Sequence, residues 1–336
     1  MKKYNVAVLG ATGAVGREMI KILEERNFPV NALKALASKR SVGKKIPFKN
    51  EEITVEEATH DSFSGMDIVL GAASNALAKE MAPYIVKAGA VFVDNSSAFR
   101  MDDNVPLIVP EINPEDVKNH RGIIANPNCS TIITVVAVNA LNTVSPIETM
   151  VASTYQAVSG AGAGGPRELL EQTASIITGD GICKPEVFTD QIAFNVIPKI
   201  GSGTENDYTT EEMKMQNEGR KIMHLPDLRV SCTCVRVPVV RSHSISVVVK
   251  TKEKIPPEKA REVIKNAPGC RLCDNVNAGI YPMPLDTSDQ DLVFVGRIRE
   301  DLTSDRGLNI WCCGDQVRKG AATNAIQIAE LLTDKS

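Results

Sequence analysis

The stretch Tyr4-Asn5-Val6-Ala7-Val8-Leu9-Gly10-Ala11-Thr12-Gly13-Ala14-Val15-Gly16 decides the fold of the first part of this chain. Tyr4 to Leu9 reads as a strand, and Val15, Met19, Ile22 and Leu23 fall on one face of the helix that follows. The glycines between them have the spacing GxxGxxG. They permit a tight turn and let backbone N–H groups approach a pyrophosphate at the helix N-terminus. Strand, turn and amphipathic helix in this order point to a dinucleotide site at Gly10, Thr12, Gly13, Ala14, Val15 and Gly16, with a packed turn that holds no ligand as the alternative.

Outward from this unit, short apolar runs alternate with helical patterns. Ala32 to Ala37, Ile68 to Gly71, Val91 to Asp94 and Gly122 to Ala125 read as further strands, and Ala76 to Ala88 as a crossover helix. The first part is therefore an α/β, Rossmann-like doubly wound parallel sheet domain. After Pro146 the strands become longer and alternating: Glu148 to Val158, Arg229 to Val235, His243 to Lys250, Leu292 to Arg299 and Leu308 to Cys313. Helical patterns at Pro166 to Ile177, Thr210 to Met223 and Pro256 to Lys265 separate them, which predicts a mixed α+β domain whose sheet is covered on one face. Asp315 to Leu332 reads as an amphipathic helix returning to the first domain. The expected division is thus 1–128, completed by 315–336, and 129–314.

The length of 336 residues suits two domains, and a net charge of −3 disfavours nucleic acid or an anionic membrane as partner. An anionic substrate must then be held by local cations. Gly10, Arg17 and Glu18 interrupt the N-terminal apolar run, so no signal peptide is expected. Residues 122 to 147 carry no charged side chain, yet Asn126, Pro127, Asn128, Asn139, Asn142 and Pro146 break the stretch, which fits a buried helix better than a membrane span. The eight cysteines (Cys129, Cys183, Cys232, Cys234, Cys270, Cys273, Cys312 and Cys313) are expected to be reduced thiols in the cytoplasm. Cys270 and Cys273 resemble half a zinc site, but no second pair stands at ligand spacing, so no metal is expected.

Asn126-Pro127-Asn128-Cys129-Ser130-Thr131 directly precedes the apolar helical run Ile132 to Leu141. Cys129 should therefore lie on the first turn of a helix, where unpaired N–H groups and the helix dipole favour the thiolate, the form that attacks carbon. The alternative is a space-filling thiol. His243, one of four histidines, opens a strand and is a candidate acid/base. At the end of the second strand, Ala37-Ser38-Lys39-Arg40-Ser41 offers two cations and two hydroxyls and no carboxylate. That suits the 2′-phosphate of NADP; a solvated basic turn is the alternative. A nicotinamide beside a cysteine implies aldehyde oxidation or its reverse through a thiohemiacetal and a thioester.

Ordered motifs then spell a family. The glycine turn, Asn95-Ser96-Ser97-Ala98-Phe99-Arg100, Asn126 to Thr131, Tyr155-Gln156-Ala157-Val158-Ser159-Gly160-Ala161-Gly162, Glu211-Glu212-Met213-Lys214 and Arg236-Val237-Pro238-Val239-Val240-Arg241-Ser242-His243 together resemble aspartate-semialdehyde dehydrogenases over nearly the whole chain. The resemblance implies NADPH-dependent reductive dephosphorylation of L-aspartyl 4-phosphate to L-aspartate 4-semialdehyde, a step toward lysine, threonine and methionine. It implies that Cys129 is the acyl-thioester nucleophile, His243 the general acid/base and Gln156 the group that orients substrate. Arg100 and Lys214 would hold the phosphate, and Arg236 the α-carboxylate, with Glu211 on the amino group. Thr12 to Val15, Ser38, Arg40, Ser41, Ser159, Gly160 and Gln316 would meet NADP.

N-acetyl-glutamyl-phosphate reductase shares this logic but typically carries Gly where Asn128 stands here, and the Ser-Cys-Thr-Thr motif of glyceraldehyde-phosphate dehydrogenase is missing. A catalytically silent NADP-binding sensor is the rival from another class. The open sheet face and the family's habit of association point to a homodimer, with a tetramer as the alternative.

Overall fold

The computed structural model describes residues 2–179, 181 and 184–333, so Cys183 lies outside the described residues. The chain divides into two compact units, Met1–Asn128 with Ala321–Ser336, and Cys129–Gly320.

The first unit contains β1 (Tyr4–Leu9), α1 (Ala14–Glu25), β2 (Val30–Ala37), β3 (Lys45–Phe48), β4 (Glu51–Glu57), β5 (Ile68–Gly71), α2 (Asn75–Lys87), β6 (Val91–Asp94) and β7 (Ile123–Ala125). Its sheet runs in the order β3-β4-β2-β1-β5-β6-β7. Every neighbouring pair is parallel except β3 with β4. β1 is apolar on both faces because both are covered. Val6 and Val8 pack with Met19, Ile22 and Leu23 of α1 and with Ala325, Ile326 and Ala329 of the C-terminal helix Thr323–Leu331. Ala7 and Leu9 pack on the opposite side with Ala78, Met81 and Ile85 of α2. Each fully buried Val, Leu or Ile contributes about 1.5–3 kcal/mol.

The β3–β4 hairpin does not stand out in the sequence, for a physical reason. It closes an edge of the sheet, so only Ile46, Phe48 and Val55 are buried, and Lys and Glu fill the exposed positions. Pro47 is tolerated there because an edge strand leaves its missing N–H facing away from the ladder.

The second unit comprises α3 (Cys129–Asn142), β8 (Ile147–Gln156), α4 (Gly164–Thr178), α5 (Thr210–Met223), β9 (Arg229–Arg236), β10 (His243–Thr251), α6 (Pro257–Lys265), β11 (Cys270–Leu272), α7 (Pro284–Thr287), β12 (Val293–Glu300) and β13 (Gly307–Gly314). Its sheet has the order β11-β12-β13-β10-β8-β9. β10 is antiparallel to β8 and β13, and β8 is parallel to β9. Helices α3, α5 and α6 lie on this sheet. α3 is buried nearly all round, which is why its sequence is uniformly apolar rather than amphipathic. Between these helices' contacts, alternate side chains point the other way. Val151 is 55% and Tyr155 38% exposed, and the Tyr155 ring rests 5.5 Å from Trp311.

The helix expected from Asp315 begins later. The Asp315 carboxylate accepts from the N–H groups of Val317 and Arg318, at 2.9 and 3.0 Å, so it caps a turn. A π-helical turn, Arg318–Ala322, follows, and α-helix resumes at Thr323.

Candidate active site

Cys129 is the first residue of α3 and is partly exposed. Its Sγ lies 3.4 Å from Nε2 of His243. Gly320 lies against it: a Cβ there would come within 2.9 Å of the Cys129 Cβ.

His243 opens β10 opposite Gly314 and is fully buried. Its Nδ1 accepts a hydrogen bond from the Ala157 N–H at 3.0 Å. An accepting Nδ1 cannot also carry the proton of a neutral ring, so this contact assigns the proton to Nε2, facing the sulfur. Burial first and the Arg236 charge second lower the imidazole, against the opposing Glu211 charge, to about 3. The ring is therefore neutral near pH 7, and its Nε2–H is a donor aimed at sulfur.

Gln156 and Arg236 end the parallel strands β8 and β9 side by side. Arg236 is buried; its Nη1 donates to the Ala157 carbonyl at 2.7 Å, and its guanidinium lies 5.8 Å from the Phe188 ring. Burial lowers its pKa, and the charges of Cys129 and Glu211 oppose that. Glu211, on the first turn of α5, is placed by the Thr209–Glu212 capping box, which sets where that helix starts. It accepts from Gln156 Nε2 at 3.3 Å and pairs with Lys214 Nζ at 2.8 Å. Gly160 completes the constellation: a Cβ there would come within 2.8 Å of Arg236 Nη1 and 3.1 Å of His243 Cε1. The second unit thus gathers Cys129, His243, Gln156, Gly160, Glu211, Lys214 and Arg236. Two further members of the second unit, Ser159 and Gln316, are bonded to each other, Gln316 Nε2 donating to Ser159 Oγ.

The remaining candidates belong to the first unit. Arg100 is buried and donates to the Asn95 carbonyl at 2.9 Å. Asn126 Nδ2 donates to Asn95 Oδ1 at 2.6 Å, and Asn324 Nδ2 to Asn126 Oδ1 at 2.7 Å. This asparagine chain fixes the loop that carries Arg100, and sequence reading missed Asn324 because the residue is far away along the chain.

The glycine turn fits a pyrophosphate. Gly13 caps α1 with no side-chain cap, and no acidic residue occupies the first turn. Cβ atoms at Gly10 and Gly16 would come within 2.3 Å of the Ala72 carbonyl oxygen and 2.2 Å of the Gly10 carbonyl oxygen, whereas one at Gly13 would meet only the Gly10 carbonyl oxygen at 3.4 Å. Two glycines therefore serve close packing, and Gly13 keeps the helix end, with Ala14 and Val15, open to an anion. Ser41 is buried with its Oγ 3.5 Å from Thr12 Oγ1, and Ser38 and Arg40 are exposed beside it at the end of β2. No carboxylate stands in 38–44. Among the described residues no cluster of His, Cys, Asp and Glu could hold a metal, and Cys270 donates instead to the Val136 carbonyl. Among the same residues no helix is long and apolar enough to cross a membrane.

The model for the semialdehyde dehydrogenase NAD binding domain matches residues 5–120, and that for the semialdehyde dehydrogenase dimerisation domain matches 138–319. The aspartate-semialdehyde dehydrogenase of Aquifex aeolicus is 53% identical over 98% of both chains. The crystal structure of aspartate semialdehyde dehydrogenase II from Vibrio cholerae complexed with ASA matches with a TM-score of 0.96 and 43% identity over 99% of this chain and 98% of that one. The Candida albicans enzyme of the same name with NADP matches with a TM-score of 0.77 and 26% identity over 98% of each chain. With matches of this length and identity joined to a cysteine and a histidine paired beside a buried arginine, the chain belongs to the aspartate-semialdehyde dehydrogenase family.

Proposed function

We propose that this chain carries out the reductive dephosphorylation of L-aspartyl 4-phosphate to L-aspartate 4-semialdehyde, reversibly, through an acyl-thioester on Cys129 of the second unit. The observation that carries this reading is the 3.4 Å contact between Cys129 Sγ and the protonated Nε2 of His243. The cysteine thiolate, favoured by the N-terminus of α3, attacks the acyl carbon. The carbon–oxygen bond to phosphate breaks, and phosphate leaves with its electron pair. NADPH, when bound, supplies the hydride that reduces the thioester. His243 then holds Nε2–H toward the oxygen that gains negative charge, as a neutral electrophile rather than an imidazolium. Collapse of the thiohemiacetal returns the thiolate and frees the aldehyde.

Gln156 orients the acyl group near sulfur. Arg236 suits the α-carboxylate because its planar fork pairs bidentately, and its bond to the Ala157 carbonyl fixes that fork. Glu211 would meet the amino group and Lys214 the phosphate; Arg100, in the first unit, keeps the phosphate role that the family resemblance implies. NADP is the coenzyme, with Thr12 to Val15 on the pyrophosphate, Ser38, Arg40 and Ser41 on the 2′-phosphate, and Ser159, Gly160 and Gln316 toward the nicotinamide end.

The exposed sheet face with Val151, Tyr155 and Trp311 joins a second copy in a homodimer, a role in keeping with a dimerisation domain. The free thiols of the described cysteines suit the cytoplasm.

The test is direct. Protein, aspartate semialdehyde, phosphate and NADP are mixed and absorbance is followed at the reduced nicotinamide band. A rise that depends on all three small molecules and vanishes in Cys129→Ala is expected. No rise, with tight NADP binding retained, would leave a silent NADP-binding protein instead.

A further inference from the structure

The main-chain ladder between β10 and β13 stops at the pair His243–Gly314. Just beyond it, two consecutive side chains continue the connection. Asp315, fully buried, accepts from Arg241 Nε at 2.6 Å, and its same oxygen accepts from the Asp289 N–H at 2.8 Å. Gln316, also buried, accepts the Ser242 N–H on Oε1 at 2.8 Å and donates from Nε2 to Ser159 Oγ. Ser159 Oγ donates in turn to the Val240 carbonyl at 2.6 Å.

The residue gripped in this way is unusual. Ser242 has φ +72° although it is not glycine, and it is fully buried immediately before His243. Such a conformation persists only where its surroundings over-determine it. The Ser242 N–H has left the ladder, and Gln316 Oε1 is what satisfies it. A shift of this residue would turn the His243 ring away from the Ala157 N–H on one side and from Cys129 on the other, since His243 follows it directly.

We propose that Asp315 and Gln316 act as a positioning clamp: by holding Arg241 and Ser242 where the sheet ends, they fix the His243 Nε2–H on the Cys129 sulfur, independently of any contact that Gln316 makes with the coenzyme. This rests on the reading of Cys129 as a thiolate nucleophile. The clamp works before either ligand binds, which separates it from a coenzyme contact.

The experiment is iodoacetamide alkylation of the enzyme without coenzyme, followed across pH by mass spectrometry of the Cys129 peptide. In the native protein Cys129 should alkylate selectively; if it does not, the nucleophile reading itself fails. Gln316→Leu and Arg241→Met each break one half of the clamp. Each should slow Cys129 alkylation near neutral pH about tenfold, with the midpoint moved up about one unit, the change expected for a tenfold smaller thiolate fraction. Arg241→Lys keeps a cation for Asp315 and should stay within about threefold of native. Should Gln316→Leu fail to fold, the Arg241 pair decides the matter. An alkylation profile unchanged in the folded variants, with only NADP affinity weakened in Gln316→Leu, would overturn the clamp.

Discussion

Ala157 donates its N–H to His243 Nδ1 at 3.0 Å, and its carbonyl accepts from Arg236 at 2.7 Å. One small residue thus sets the tautomer of the histidine and the orientation of the arginine. Because both contacts use the main chain, among substitutions at Ala157 only proline, which lacks the N–H, deletes one of the atoms involved, and the loop's path carries the information. The histidine is fixed as a donor toward sulfur, and the charge beside it helps keep it neutral.

The role of His243 is open to direct measurement. His243→Asn keeps a donor of shorter reach but loses the ring that spans Ala157 and Cys129. Turnover should fall by at least about tenfold, and by about a hundredfold to ten-thousandfold if the full contribution of a positioned acid/base is lost, with substrate affinity little changed. Near-native turnover in steady-state assays would remove it from the mechanism.

Gly160 offers a test that comes only from the tertiary structure. Gly160→Ala inserts a methyl group that would come within 2.8 Å of Arg236 Nη1 and 3.1 Å of His243 Cε1. Both side chains are buried and cannot swing freely, so they must shift. A misplacement of about 1 Å at a catalytic site costs about a hundredfold in rate, which sets the upper end of the expected loss. The expected result is a large loss of kcat/KM with a native circular dichroism spectrum; full activity would show that the site tolerates the methyl group.

Acid should destabilise the fold through the same histidine. Its folded value of about 3 lies below the ordinary 6.5, so between those limits the unfolded chain binds a proton that the folded one refuses. The contribution is complete above about pH 6.5 and is lost as pH falls toward 3, at about 1.4 kcal/mol per pH unit for one proton. Urea unfolding near pH 7 and pH 5 should show a smaller stability difference in His243→Asn than in the native protein. Equal differences would mean that His243 titrates normally in the fold.

Coenzyme choice should turn on Arg40. Ser38 and Arg40 are exposed beside the buried Ser41, at the end of β2. Arg40→Asp replaces a cation by a carboxylate that repels a 2′-phosphate and accepts from a 2′-hydroxyl. The ratio of kcat/KM for NADP over NAD should fall by at least about tenfold. A native preference for NAD, lost in the variant, would refute the assignment.

The βαβ units were legible in the sequence because both faces of β1 are buried and every second residue need not turn polar, as Val6, Ala7, Val8 and Leu9 show. Cys129 was legible too, since the apolar run behind it has helical length and Asn126-Pro127-Asn128 stops any helix from starting earlier. The β3–β4 edge hairpin was not, because edge strands are built from charged residues that carry little apolar signal. The late start of the last helix was hidden as well: whether Asp315 enters a helix or caps a turn depends on which N–H groups it meets.

The two kinds of sheet, the glycine turn and the order of the candidate site residues along the chain could all be read from the amino-acid order. These follow from local periodicity, backbone freedom and motif spacing, which are properties of neighbours in sequence. Tertiary structure alone decided that Ala157, and not a carboxylate, accompanies His243, that Glu211 lies between Gln156 and Lys214, and that Asp315 and Gln316 hold the strained Ser242. Those relationships join residues far apart in sequence. Hydrogen-bond geometry and burial exist only once the strands that carry them have been paired in register.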